Sequence, residues 1–352
     1  MNMMTEDRVL AGLRGKLSLN EPMSRHTSWR TGGVAETFYQ PADLDDLHRF
    51  LSILPADEPL VVVGLGSNLL VRDGGIRGTV LLMHGALREL RLEQDGLVYA
   101  QAGVPGAKLA RFAALHDMSD AEFFAGIPGT LGGMLAMNAG CYGGETWRNI
   151  ERVQVMTHSG EIRICKPEEY EIGYRSVSRL ESKIAGERSE ERRAEESGAS
   201  SERTFPTGKD EEAGHSSAIR SSPRSLPNQE LFVGAWFRFA SGDGEIARRK
   251  IKDLLSRRIA SQPLNLPNAG SVFRNPPNDH AARLIEQCGL KGEKIGGASV
   301  SKKHANFIVN EDGATAKDIE DLISMVRKTV EKQTGVLLHA EVKIIGEYEK
   351  ND

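Results

Sequence analysis

The residues best suited by type and spacing to do chemistry are the glycines of residues 126–140, GIPGTLGGMLAMNAG. Gly126, Gly129, Gly132 and Gly133 fall within eight residues. Glycine reaches backbone conformations closed to other residues and lets a bound group approach the main chain. A turn built this way leaves N–H groups free to converge on an anion. Pro128 fixes the entry, and Thr130 stands where it can cap a short helix whose N-terminus adds its dipole to the same site. The chemistry indicated is a diphosphate cradle; the alternative is a tight core turn with small residues for packing. A second turn, Gly64-Leu65-Gly66-Ser67-Asn68, directly follows the apolar run Leu60–Val63. It lacks the third glycine and the helix of a Rossmann fingerprint, and the Gly-Lys-Ser/Thr ending of a P-loop. Two such turns, about sixty residues apart and each after a strand-rich segment, point to one extended ligand held across two lobes. Arg30, beside Thr31, Gly32 and Gly33, either reaches a phosphate or carboxylate or belongs to a solvated turn. Ser271 sets a small hydroxyl just after Gly270.

The elements that must hold these residues follow from periodicity and caps. Residues 1–20 read as a short helical lead-in, and Val34–Gln40 as a strand. Asp43 caps a helix with Leu44, Leu47, Leu51 and Leu54 inward, closed by Pro55. Strands at 75–83 and 97–103 flank a turn at Asp95-Gly96, and a helix with Leu109, Phe112 and Ala113 inward precedes the Gly126 stretch. Residues 153–157 and Ile162–Cys165 form a hairpin, and 231–239 a strong strand. Residues 186–228 carry nine serines and sixteen charges, with only Phe205, Ile219 and Leu226 as large apolar groups. Such a segment cannot offset its ordering entropy and is expected to be disordered. Beyond it come a helix at 245–259 with Ile246, Ile251, Leu254 and Leu255 inward, a short helix at 281–288 and a strand at 307–310. Thr315 caps a helix with Ile319, Leu322, Ile323, Val326 and Val330 inward, ending near Gly335; the last strand, 336–345, carries Glu341.

At 352 residues the chain has room for two or three domains, and 39% hydrophobic with 27% charged residues fits a soluble globular protein. A net charge of −4 leaves no basic excess for nucleic acid. Cys141, Cys165 and Cys288 are widely spaced and odd in number, which is neither a disulfide framework nor a zinc pattern; no metal is expected, and a reducing compartment is. The N-terminus lacks a signal-peptide run, and no segment nears the roughly 20 apolar residues of a membrane span. A cytoplasmic location without membrane insertion is expected, with the oligomeric state open between monomer and dimer.

In order along the chain, the motifs RTGG, VGLGSNLLV, GIPGTLGGMLAMNAG, IGYRS, AGSVFRNP and EVKIIGE resemble those of the UDP-N-acetylenolpyruvoylglucosamine reductase family, across roughly residues 20–180 and 230–348. The resemblance implies an α+β chain: a two-lobed FAD-binding fold of the vanillyl-alcohol-oxidase type plus a C-terminal α+β substrate-binding domain. Lobe 1 would span 1–75, lobe 2 76–240 with the disordered insert 186–228, and the substrate domain 241–352. It implies noncovalent FAD, NADPH as hydride donor, and reduction of the enolpyruvyl ether of UDP-N-acetylglucosamine enolpyruvate to UDP-N-acetylmuramate in peptidoglycan precursor synthesis.

Cofactor contacts would fall on Gly64, Gly66, Ser67, Asn68, Gly129, Thr130, Gly132, Gly133, Asn138, Ala139 and Gly140. By motif, Arg175 would stabilise the charge that develops at the substrate carboxylate, as a planar cation suits. Ser271 would protonate the neighbouring carbon. Glu341 would act as a neutral acid on the carboxylate or as a proton relay. Tyr174, Arg258 and Asn275 would contact the UDP-sugar. No tyrosine lies between Tyr174 and Tyr348, which resembles the branch without a substrate-capping tyrosine loop; the insert is outside the family pattern. The competing readings are another FAD-linked oxidase on the same fold, acting on a small alcohol or hydroxy acid, and a non-enzymatic nucleotide-binding protein. The oxidases often tether FAD through histidine, but His26 and His116, the histidines near the turns, lie in no tether pattern.

Overall fold

The computed structural model describes residues 12–180 and 230–349. The expectation of disorder over 186–228, and the first part of the expected helical lead-in, lie outside the described residues. The rest of that lead-in is a strand, β1 (Lys16–Pro22), not a helix. It pairs antiparallel with β2 (Val34–Gln40), Leu17 opposite Tyr39 and Pro22 opposite Val34. This long-range pairing supplies the backbone hydrogen bonds and overrides a local helical reading. The helix α1 (Leu44–Ile53) starts as its sequence predicts, with the Asp43 carboxylate accepting from the Asp46 N–H at 3.0 Å. After β3 (Leu60–Val63) and β4 (Leu69–Val71), β5 (Ile76–Leu82) completes a four-stranded sheet in the order β1-β2-β5-β3, parallel around β5.

The second sheet begins with β6 (Leu90–Leu92) and β7 (Val98–Gln101), followed by helices α2 (Gly106–Leu115) and α3 (Leu131–Ala136). It is completed by β8 (Ile150–Met156), β9 (Ile162–Cys165) and, after the hairpin β10 (Tyr170–Gly173) and β11 (Ser176–Arg179), β12 (Leu231–Phe237). Its order is β9-β8-β12-β7-β6, antiparallel throughout. Leu47, Phe50 and Leu51 of α1 join the sheets, packing in one cluster with Tyr39 and Leu81 of the first and Met156, Leu231 and Val233 of the second. Helix α4 (Gly244–Ser261) turns the expected Ile251 inward and half-buries Leu254 and Leu255, but Ile246 is 62% exposed, and Gly244 and Ala247 are buried at that end instead. A small residue lets the helix approach α2 closely, since a side chain at Gly244 would stand 2.2 Å from the Ala114 carbonyl oxygen. Ala247 and Ile251 belong to the second-lobe core.

The C-terminal part contains α5 (Ala281–Gln287), then β13 (Lys294–Ile295), β14 (Ala298–Val300) and β15 (Ile308–Asn310) as one antiparallel sheet. Against it lies α6 (Ala316–Thr334), whose Ile319, Leu322, Ile323, Val326 and Val330 are all buried. Thr315 makes its cap, and Gly335 ends it in the left-handed region. The final strand is shorter than expected: β16 is Lys343–Ile345, parallel to β4, and Glu341 precedes it. Between 336 and 342 the chain changes partners, from a single bridge between Ala340 and Phe273 to β4, so no continuous ladder forms. Trp29 and Leu70, from the first lobe, are fully buried in the C-terminal core.

Candidate active site

A cleft of about 320 Å³ lies where the lobes and the C-terminal part meet. From the turn between β3 and β4 it is lined by Gly64, Gly66, Ser67 and Asn68. From the stretch around α3 it takes Gly129, Thr130, Gly133, Ala139 and Gly140. The structure thus brings both glycine turns to one cavity, together with Arg175, Arg258, Ser271 and Glu341.

The cradle differs in detail from its sequence-based expectation. Thr130 is the N-cap of α3, but its side chain makes no cap bond. Its hydroxyl is instead buried without a hydrogen-bond partner, placed where a Cβ on Gly64 would come within 2.3 Å. The first N–H groups of α3 are not free for an anion: Leu131 donates to Val104 O and Gly132 to Ala102 O, both at 2.8 Å. Gly132 therefore packs on Ala102 and does not line the cleft. Gly133 does line it, and a Cβ there would meet nothing within 4 Å. An orphaned buried hydroxyl and an uncovered glycine fit a bound group rich in acceptor oxygens, as a dinucleotide diphosphate is.

Arg175 sits at the tip of the β10–β11 hairpin, which Gly173 and Ser176 close. Its φ of 56° is left-handed, a strain of about 1–3 kcal/mol for a non-glycine residue, of the kind that gathers at functional sites. Its guanidinium forms an ion pair with Glu341, whose side chain is only 6% exposed. The Glu341 N–H donates to Val272 O at 2.7 Å, and the Asn68 amide donates to Glu341 O at 3.2 Å. Glu341 is thus tied both to the loop carrying Ser271 and to the first glycine turn. Burial pushes its pKa above the usual carboxylate value, while Arg175, Arg274 and a hydrogen bond from Tyr174 pull it back.

Ser271 follows Gly270, whose φ of 77° turns the chain into the cleft. Asn306 holds the next two residues: its carbonyl accepts from the Val272 N–H, and its side chain bonds both the N–H and the C=O of Phe273, all within 2.9 Å. The Ser271 hydroxyl has no hydrogen-bond partner among the described residues. Arg258, in the last turn of α4, donates to the Gln262 side chain at 2.8 Å and pairs with no carboxylate among the described residues. Burial lowers its pKa from the ordinary arginine value, with Tyr142 and Cys141 nearby. A part-buried cation without a counter-ion in a cleft suits an anionic ligand.

Three further expected contacts do not line the cleft. Asn138 braces its own turn, donating to Glu145 at 2.9 Å and accepting from the Trp147 N–H at 3.2 Å. Asn275 accepts from the Ala281 N–H at 3.0 Å, at the start of α5. Tyr174 is exposed beside Arg175, its ring centre 5.7 Å from the Arg274 guanidinium carbon. Arg30 is exposed and outside the cleft. Residues missed in the sequence include Cys141, Gln262 and Lys343, all on the cleft wall. Burial raises the Cys141 thiol to about 11, so it is a neutral wall residue at ordinary pH. The signal for the other two was register: Gln262 lies one helical turn past Arg258, and Lys343 two residues past Glu341.

Residues 35–166 match the family model described as FAD binding domain, and residues 262–345 the one described as UDP-N-acetylenolpyruvoylglucosamine reductase, C-terminal domain. The UDP-N-acetylenolpyruvoylglucosamine reductase of Nitrosospira multiformis is 54% identical over 339 residues, covering 96% of this chain and 90% of that protein. The protein of the same name in Thiobacillus denitrificans is 49% identical over 361 residues, covering 98% of each. The crystal structure of UDP-N-acetylenolpyruvylglucosamine reductase from Thermus caldophilus aligns with a TM-score of 0.68 at 26% identity, over 94% of this chain and 99% of that one.

Proposed function

The chain belongs to the UDP-N-acetylenolpyruvoylglucosamine reductase family, and on that premise we propose that the cleft lined by both glycine turns is its catalytic centre. The protein is an FAD-dependent oxidoreductase that uses NADPH to reduce UDP-N-acetylglucosamine enolpyruvate to UDP-N-acetylmuramate, a step of peptidoglycan precursor synthesis. The observation that carries the site reading is the convergence of Arg175, Ser271 and Glu341 on the cavity that holds the glycine turns.

Gly64, Gly66, Ser67, Asn68, Gly129, Thr130 and Gly133 hold the cofactor, with the Thr130 hydroxyl finding its missing partner there. Bound FAD supplies the hydride relay between NADPH and the sugar. Arg175 binds the substrate carboxylate and stabilises the charge that builds on it as hydride adds to the methylene carbon. Ser271, with its hydroxyl uncommitted, protonates the carbon beside that carboxylate. Arg258, lacking a counter-ion, takes the sugar's diphosphate. The first lobe ends near 75; the sequence-based boundary near 240 falls before helix α4, which packs on the second-lobe core and leads from it into the substrate domain. Its surroundings are cytoplasmic, as three cysteines in the free thiol form suit.

The test is direct. The purified protein should be yellow, its flavin extractable by denaturation, bleached by NADPH without oxygen, and recoloured by the enolpyruvyl sugar. The FAD-linked oxidase reading gains if the flavin stays covalently attached or the sugar leaves the bleached protein colourless. His26, stacked on Phe38 with ring centres 4.4 Å apart, and His116, at the C-terminal cap of α2, both lie off the cleft, which favours extractable flavin.

A further inference from the structure

Arg175 stands on a hairpin that belongs to neither main sheet. Among the described residues, strands β10 and β11 pair only with each other. A lone two-stranded hairpin is at best marginally stable in water, so its place is set by what holds it. From Tyr170 to Arg179 only Tyr170 is buried, its ring centre 5.2 Å from that of Trp147 and 5.8 Å from that of Phe232. Val177 is partly buried against the second-lobe core. At the tip, the Asn138 amide donates to Gly173 O at 3.5 Å, longer than an ordinary N–H···O bond. The other tip contact, to Glu341, is made by the Arg175 guanidinium itself.

The base is gripped more firmly. Tyr170 and Arg179 stand opposite one another, one on each strand. Both reach Glu230: the Tyr170 hydroxyl donates to Oε2 at 3.2 Å, and Arg179 Nη1 donates to Oε1. Each carboxylate oxygen thus takes one strand. Glu230 directly precedes β12, the middle strand of the second sheet, whose Leu231 pairs with Met156 of β8. The Arg179 and Glu230 side chains are only 17% and 13% exposed, so solvent does little of the screening that makes surface ion pairs weak. Arg179 also donates to Glu169 at 3.0 Å, and Arg163 lies 3.9 Å from Glu230.

We propose that Glu230 is a positioning residue for Arg175: it binds both strands at the hairpin base, through Tyr170 and Arg179, and so sets where the tip carries the guanidinium in the cleft. The hairpin acts as a lever. Its strands span roughly 10–13 Å from base to tip, so a tilt of about 5° at the base moves the tip by about 1 Å. A misplacement of that size costs up to about 10²-fold in rate. Glu230 itself does not line the cleft. The inference rests on the reading of Arg175 as the group that binds the substrate carboxylate.

The experiment is a double-substitution cycle followed by stopped-flow absorbance of the FAD-loaded protein. Glu230→Gln, Arg175→Ala and the variant carrying both are each checked for flavin content and thermal unfolding. In Glu230→Gln, bleaching by NADPH should keep its normal rate, and recolouring by saturating enolpyruvyl sugar should slow about 10–10²-fold. In the Arg175→Ala background, the same substitution should add no further slowing, because the group it positions is gone. Tyr170→Phe keeps the ring packing and removes one of the two grips; it should slow recolouring less, again only while Arg175 is present, and it decides alone if Glu230→Gln does not fold. Normal recolouring in Glu230→Gln overturns the proposal. So do equal slowing of bleaching and recolouring, and slowing that multiplies with that of Arg175→Ala, since both mark a residue that only supports the fold. Failure of the underlying reading looks different: Arg175→Ala would itself recolour at the normal rate.

Discussion

As the proposed proton donor, Ser271 should separate the two halves of the reaction. Flavin reduction by NADPH needs no proton on a substrate carbon, whereas reduction of the sugar does. Ser271→Ala should leave bleaching by NADPH near its normal rate and slow recolouring by the sugar about 10²–10⁴-fold, the usual worth of a positioned acid. Stopped-flow absorbance with each substrate mixed separately measures both; recolouring at the normal rate would remove Ser271 from the mechanism. Arg175→Ala should slow the same half-reaction through lost charge stabilisation, and leave a buried Glu341 carboxylate without its cation. None of these residues declares itself alone in the sequence. An arginine after a tyrosine reads as a surface ion pair, a serine after a glycine as a turn, and a glutamate near a strand as solvent-facing. Motif order singled them out. What no sequence pattern carried was that Glu341 is buried and paired with Arg175, because that contact joins a hairpin to a segment far along the chain.

The glycine turns show how one residue type serves two purposes within an element. Gly66 has a φ of 65°, and a Cβ there would stand 2.0 Å from the His26 carbonyl oxygen. Its freedom is needed by the chain itself, where the Ser28 N–H donates to Gly66 O at 3.1 Å. Gly66→Val should therefore lower the thermal stability of the flavin-free protein, by about 1–2 kcal/mol from backbone strain before the overlap is counted. Gly133 faces open space in the cleft, so Gly133→Val should leave flavin-free unfolding unchanged while weakening FAD binding by about tenfold or more. Flavin titration beside thermal unfolding of both variants checks the distinction, and equal effects on stability would erase it. Elements with their own caps and stripes, such as α1 behind Asp43 and α6 between Thr315 and Gly335, could be read from local pattern. Those decided by a partner could not. β1 depends on β2, the burial of Gly244 and Ala247 in place of Ile246 on close approach of α4 to α2, and the extent of β16 on a change of neighbours.

At the scale of the molecule, Ser271 and the first glycine turn sit on different parts of the chain, and their relative position is set where lobe 1 meets the C-terminal part. Trp29 enters the C-terminal core, its indole N–H donating to Ile308 O at 2.8 Å, and Asn310 donates back to Trp29 O at 3.0 Å. Asp73 receives the Ala316 and Lys317 N–H groups at the start of α6. Arg72 forms two 2.9 Å hydrogen bonds to Glu320 and lies 4.2 Å from the Tyr348 ring centre. The partners in these contacts lie far apart in the chain, so local pattern could not show them. Truncating Trp29 to alanine should cost about 3–5 kcal/mol, seen as a lowered unfolding temperature. Arg72→Ala should cost less, about 1.5–3 kcal/mol for lost charged hydrogen bonds, and is the sharper probe. Its site lies outside the cleft, yet it helps hold the segment bearing Glu341 against β4, which the glycine turn precedes. Any shift there misplaces Ser271 and Glu341 relative to the cofactor, while NADPH still meets an intact cradle. Recolouring by the sugar should therefore slow more than bleaching by NADPH in Arg72→Ala. Equal slowing of both half-reactions, or none, would mean that the junction holds the fold together without setting the geometry of proton delivery.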